Sequence, residues 1–123
     1  MYTFDSYAWL EYFLAGKKGP KVKKIVDSEE KIFTPSIALA EIKLRLARDG
    51  IVERQISDIL EFISLRSIIV DATKEISLIA AEVKLKFKLY LIDALIYASA
   101  LSVKSKLLTA DQHFKNLDAV EML

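Results

Sequence analysis

The sequence contains no cysteine, which excludes disulfides, thiolate zinc sites and a thiol nucleophile. A single histidine, His113, excludes a His-rich metal site and any two-histidine motif. Net charge is nearly absent: 18 Lys and Arg against 17 Asp and Glu leave +1 at pH 7. A general basic coat for nucleic acid is thereby excluded, so such contact would have to come from a local patch. Three glycines and two prolines are too few for a flexible or Pro-rich linker. Long apolar runs are also missing. The longest stretch of little charge, Leu89 to Leu101, is too short to span a bilayer and contains Asp93. The opening residues Met1-Tyr2-Thr3-Phe4-Asp5 lack the basic start and apolar run of a signal peptide. A soluble, cytoplasmic protein without membrane association is expected. Asn116 is the sole asparagine and Gln55 and Gln112 the only glutamines; beside abundant Lys, Glu and Ile, this fits a heat-adapted source.

What is present suits a folded core. At 123 residues, 53% of them hydrophobic and 28% charged, the chain is expected to form one domain over residues 1–123. Breaks at Gly16, Gly19, Pro20, Pro35 and Gly50 separate short apolar runs from amphipathic ones. Strand-length runs are predicted at Tyr2 to Phe4, Lys31 to Phe33, Ile68 to Val70, Lys106 to Leu108 and Ala119 to Met122. Between them, Pro35 suits a first helical position in a helix through Arg48 that Gly50 closes. Val52, Ile56, Ile59 and Ile63 mark one helical face. Thr73 can cap a helix with Ile76, Ala80, Val83 and Phe87 on one side. Asp93 opens a helix, Ala94 to Leu101, that is apolar nearly all round and must lie deep; a further helix is expected before the last strand. Such alternation implies an α/β sandwich around a parallel sheet.

Four acids interrupt this apolar text, where an uncompensated charge costs several kcal/mol. Asp5 ends the first strand, and Asp111 lies just past the fourth. Glu41 interrupts Ile37-Ala38-Leu39-Ala40, and Asp93 is the only charge between Leu89 and Leu101. Parallel strands all end at one edge, where ligands bind at the point of strand-order reversal. Asp5 and Asp111 reach that edge by position. Glu41, about a turn and a half into the helix leaving the second strand, overhangs it. The helix that begins at Asp93 leads into the fourth strand and runs antiparallel to it, which brings Asp93 to the same edge.

Carboxylates gathered in this way repel by about 4 kcal/mol per pair at ~4 Å. They therefore retain protons or hold a cation. An all-oxygen set selects hard ions, Mg²⁺ or Mn²⁺, and such ions serve phosphodiester hydrolysis. Helix capping is the competing explanation, strongest for Asp93 and available to Asp5 and Asp111. Glu41 lies too far into its helix to cap it.

Taken in order, these segments resemble a PIN domain, and in particular the VapC-type toxin ribonucleases of toxin–antitoxin pairs. The resemblance rests on Tyr2-Thr3-Phe4-Asp5-Ser6, Thr34-Pro35-Ser36-Ile37-Ala38-Leu39-Ala40-Glu41-Ile42, Leu91-Ile92-Asp93-Ala94-Leu95-Ile96-Tyr97-Ala98-Ser99-Ala100 and Leu107-Leu108-Thr109-Ala110-Asp111-Gln112-His113-Phe114. It covers essentially the whole chain, with no departure in the acids. It implies a three-layer sandwich with sheet order 3-2-1-4-5, Mg²⁺-dependent endoribonuclease activity, homodimers and inhibition by a small antitoxin protein. Asp5, Glu41, Asp93 and Asp111 would hold one or two metals, Mg²⁺ or Mn²⁺. Ser6 and Thr109 would orient acids through their hydroxyls, or else bind local backbone as strand-end hydroxyls do.

Weaker signals accompany the set. Lys17, Lys18, Lys21, Lys23 and Lys24 form the densest basic cluster, either a grip on RNA phosphates or a solvated helix face; Lys43, Arg45 and Arg48 are alternative contacts. Half of the twelve aromatics fall in the first thirteen residues. Among them, Trp9 and Tyr12 are candidates for a groove that takes an antitoxin peptide or a dimer partner, unless they simply cover the sheet. His113 reads as an exposed turn residue, and Phe114 as packing under a last helix. An aspartyl-phosphate enzyme would want a second acid at position 7, where Tyr7 stands, and a receiver-like domain would need paired acids and a downstream Lys. A non-catalytic PIN-like module that binds RNA or protein, and a housekeeping RNA-processing nuclease, are the remaining alternatives.

Overall fold

The apolar runs pair as expected of buried parallel strands. In the computed structural model, which describes residues 1–123, β1 (Tyr2–Phe4), β2 (Ile32–Pro35), β3 (Ile68–Val70), β4 (Lys106–Thr109) and β5 (Val120–Met122) form one sheet. Every pairing is parallel, in the order β3-β2-β1-β4-β5. Six helices connect the strands: α1 (Ser6–Phe13), α2 (Gly19–Val26), α3 (Ser36–Arg48), α4 (Glu53–Arg66), α5 (Lys74–Phe87) and α6 (Leu91–Ser102).

Strand side chains alternate between the two faces of the sheet. Phe4 and Leu108, neighbours in the β1–β4 register, join Trp9, Val22, Ile42, Leu46 and Ile63 in a core with α1 to α4. Leu107 points the other way, into a second core with Ile76, Ala80, Ala98 and Phe114. These are the layers of an α/β/α sandwich. The alanines of α6 let it lie close to the sheet and α5; Ala94, Ile96, Tyr97, Ala98, Ser99 and Ala100 are all buried. Chain order runs outward from β1 through β2 to β3, then crosses to β4 on the other side of β1. Reversal therefore falls between β1 and β4, which opens a crevice outside their C-terminal ends.

Several local expectations shift. Pro35 closes β2 with extended backbone (φ −60°, ψ 135°), and α3 starts at Ser36. Thr34, Pro35 and Ser36 thus turn the chain from sheet to helix one residue late. Gly50, at φ 79°, takes up the left-handed backbone after α3 ends. Thr73 does cap α5, accepting from the Ile76 amide at 3.2 Å. Val52 precedes α4 and is exposed, leaving Ile56 and Ile63 as that helix's buried face. The expected last helix is only a 3₁₀ turn, Gln112–Phe114, and Phe114 lies within it, buried against Tyr97.

Trp9 also departs from expectation. It is fully buried, and its indole Nε1 donates to Thr34 Oγ1 at 3.0 Å. That hydroxyl bonds Ser67 Oγ at 2.7 Å, and Ser67 Oγ donates to the Ile63 carbonyl at 2.7 Å. Its ring packs edge-on against Phe4 at 4.8 Å. Trp9 is therefore a core residue that ties α1 to β2 and α4, with no face left for a partner. No helix is long and apolar enough to cross a membrane.

Candidate active site

Each acid enters the crevice from a different element. Asp5 follows β1 directly, is buried, and accepts from the Ala8 amide at 2.8 Å, so it caps α1 as well as pointing into the edge. Asp111 follows β4 and caps the 3₁₀ turn, accepting from the His113 amide at 2.9 Å. Capping thus accounts for part of what these two acids do. It does not account for Asp93, the third residue of α6, where Tyr90 holds the cap position without any side-chain bond. Glu41, deep in α3 and half-buried, is held from outside its helix by Ser6 Oγ, which donates to Oε1 at 3.0 Å.

Hydroxyls tie the set together. Thr109, fully buried at the end of β4, accepts from the Asp111 amide at 2.9 Å. Ser6 thus touches an acid from another element, whereas the bond of Thr109 is to backbone two residues on, the alternative weighed for it.

Electrostatics show that the acids share one environment. Burial pushes the Asp5 carboxyl up to about 7; the bonds from Thr109 and Ala8 oppose this, and the charges of Asp111 and Glu41 add to it. Burial likewise lifts Asp93 to about 6, reinforced by Asp111 and Glu41 and opposed by His113. Glu41 is raised by burial and by Asp111 against its Ser6 bond. No Lys or Arg nitrogen lies within 4.0 Å of these carboxylates, and His113 is their only basic neighbour.

A PIN domain profile matches residues 2–120. The chain belongs to the PIN domain family. Solved structures share the fold at low identity. A toxin–antitoxin complex from Klebsiella pneumoniae aligns with a TM-score of 0.77 at 18% identity, over 98% of this chain and 96% of that one. VapC20 from Mycobacterium tuberculosis, described as a toxin that cleaves the sarcin–ricin loop, gives 0.72 at 16% identity over 87% of each chain. DNA-bound VapBC from Salmonella typhimurium gives 0.77 at 14% identity, over 99% of this chain and 96% of that one. Among curated proteins, none matches the sequence.

Within this PIN domain the tightest potential ligand set is Asp93, Asp111 and His113, whose ligand atoms all lie within 4.8 Å of one another. His113 Nδ1 stands 2.7 Å from Asp111 Oδ1. Asp5 and Glu41 couple to Asp111 electrostatically but stand outside that innermost group. The acids expected to form an all-oxygen set thus have one imidazole beside them. A 3₁₀ turn after Asp111 folds His113 back over the carboxylate two residues before it. That spacing was visible in the sequence; the turn that uses it was not. Clustered carboxylates without a Lys or Arg partner, plus one imidazole, fit a divalent cation by donor chemistry and charge.

Other candidates lie apart from the acids' own contacts. Lys17, Lys18, Lys21, Lys23 and Lys24 are all exposed on and before α2. Lys21 is engaged with the Met122 carbonyl at 3.0 Å, and Lys23 pairs with Asp27. Lys43, Arg45 and Arg48 are exposed along α3, with Arg45 paired to Asp49. Tyr12 is half-buried and stacks on Phe62 at 6.0 Å. It lines a cleft with Phe13, Gly16, Pro20 and Lys23.

Proposed function

We propose that this PIN domain, acting as one unit over residues 1–123, is a Mg²⁺- or Mn²⁺-dependent endoribonuclease and the toxin of a VapBC-type toxin–antitoxin pair. One observation carries the reading: Asp5, Glu41, Asp93 and Asp111 converge on the switch-point crevice with no Lys or Arg to neutralise them. A fold does not need that arrangement, and metal-free it is destabilising. A cation bound there would polarise a phosphoryl oxygen and make an attacking water more acidic.

The chain's own residues prepare that chemistry. Asp93 and Asp111, with His113, would be the inner holders of the ion, with Glu41 and Asp5 completing the negative field behind them. Ser6 holds Glu41 in place, and Thr109 holds the Asp111 backbone. A carboxylate of the set accepts the proton released by the attacking water. The exposed lysines at positions 17, 18, 21, 23 and 24 attract RNA phosphates and make binding salt-dependent.

Toxins with this fold support the same reading, among them one described as cleaving the sarcin–ricin loop. An antitoxin segment would occupy the cleft beside Tyr12 and Phe13, Trp9 being unavailable. A homodimer acting in the cytoplasm completes the proposal. Cleavage of defined RNAs by wild type and Asp93→Asn, with Mg²⁺ or EDTA, tests it. Only wild type with metal should cut. Equal cutting by the variant would remove the acids from the reaction, and metal-insensitive binding without cutting would favour a non-catalytic module.

A further inference from the structure

We propose that Tyr90, beside His113, is a stacking platform for the nucleobase next to the scissile phosphate. The inference rests on the nuclease reading and adds a base-binding position to it.

Three aromatic residues are exposed: Tyr7, Phe62 and Tyr90. Phe62 packs into the ring cluster of Trp9, Tyr12 and Phe13. Tyr7 opens onto a cleft with Leu10, Glu11, Leu14 and Arg45. Tyr90 alone meets the acid set. Its ring lies 5.4 Å from that of His113 at 85°, and His113 Nδ1 lies 2.7 Å from Asp111. Edge-to-face packing leaves at least one face of the Tyr90 ring open, and the residue is 69% exposed.

The backbone beneath this ring is fixed. Leu89, just before it, is buried, and the Tyr90 carbonyl accepts from the Ala94 amide at 2.9 Å as the first bond of α6. The phenol makes no hydrogen bond within the chain, while Leu91 and Ile92 extend the apolar surface at 55% and 40% exposure. A ring on a fixed backbone three residues before Asp93, with an open face, is preorganised for a flat ligand.

Stacking on an aromatic face attracts every base, whatever the charge around it.

The test uses RNA carrying a single 2-aminopurine, placed in turn along the strand and bound to Asp93→Asn protein so that nothing is cut. Fluorescence should be quenched at one position, and the quench should survive Tyr90→Phe and vanish with Tyr90→Leu. In the otherwise wild-type enzyme, Tyr90→Leu should raise KM about five- to a hundredfold with kcat nearly unchanged. An abasic nucleotide at the quenched position should make wild type as weak as that variant. No strand position with a Tyr90-dependent quench, or an unchanged KM in Tyr90→Leu, overturns the proposal. Wild type that binds and quenches but never cuts would overturn the nuclease reading instead.

Discussion

Ser6 Oγ donates to Oε1 of Glu41 across 3.0 Å, joining the start of α1 to the middle of α3. A carboxylate deep in a helix has no free amide to accept from, so this hydroxyl is its only fixed support. Ser6→Ala should lower metal affinity and RNA cleavage about 10–100-fold, the usual cost of losing an orienting partner. Titration of Mn²⁺ against thermal midpoint, alongside cleavage rates, reads both. The metal-free midpoint should move little, since a part-buried hydrogen bond contributes only about 1 kcal/mol.

Stability of the metal-free protein should fall as pH rises. The native Asp5 carboxyl titrates at about 7, against an ordinary value of 3.8, and Asp93 is raised to about 6. Between these values the native state binds more protons than the unfolded chain, so the stability present below pH 4 is lost on passing through pH 7. For buried Asp5 alone the loss is on the order of 4 kcal/mol. Urea unfolding in EDTA at pH 4.5 and pH 8 measures it. Saturating Mn²⁺ should restore stability at pH 8 and do little at pH 4.5.

Asp93→Asn separates function from folding. Cleavage should drop by more than about a hundredfold, beyond the cost of losing an outer partner. Metal-free stability at pH 8 should rise, because one of the mutually repelling charges is gone. A variant that lost activity by unfolding would show the opposite change in midpoint.

Trp9→Ala should destabilise by about 3–5 kcal/mol, as truncation of a buried aromatic does, and it also strips the Thr34 hydroxyl of a donor. Denaturant unfolding gives the number. Partner affinity measured on the folded fraction should be unchanged, whereas Tyr12→Ala should weaken it.

Arg66 clamps the end of α2: Nε donates to the Val26 carbonyl at 2.9 Å, and Nη2 reaches those of Ser28 and Glu30 at 3.1 and 2.9 Å. Arg66→Ala leaves these carbonyls without that partner at a helix C-terminus. It should cost about 2–3 kcal/mol, with faster amide exchange across α2 than elsewhere.

Much of this is legible in the sequence. Strand positions at β1 and β3 follow from short β-branched and aromatic runs, and the depth of α6 from its alanines. The acids stood out because charge in apolar text needs a reason. Other features were not legible, since they depend on contacts between distant segments. The sequence leaves Trp9 between partner surface and sheet cover, because aromatic content alone does not reveal that Thr34 and Ser67 wait behind it. His113 is the exposed turn residue the sequence suggests, but its place beside Asp111 depends on a 3₁₀ turn where a longer helix is expected.

By itself the sequence determined the alternation of strands and helices, the parallel sheet and the identity of the converging acids. All of these follow from local periodicity and from the cost of burying charge. Only the tertiary structure decided which acids stand closest, which hydroxyl orients which carboxylate, and which aromatic ring stays in the open. Those distinctions arise from side chains far apart in the chain meeting across a few ångströms, and periodicity carries no record of such meetings.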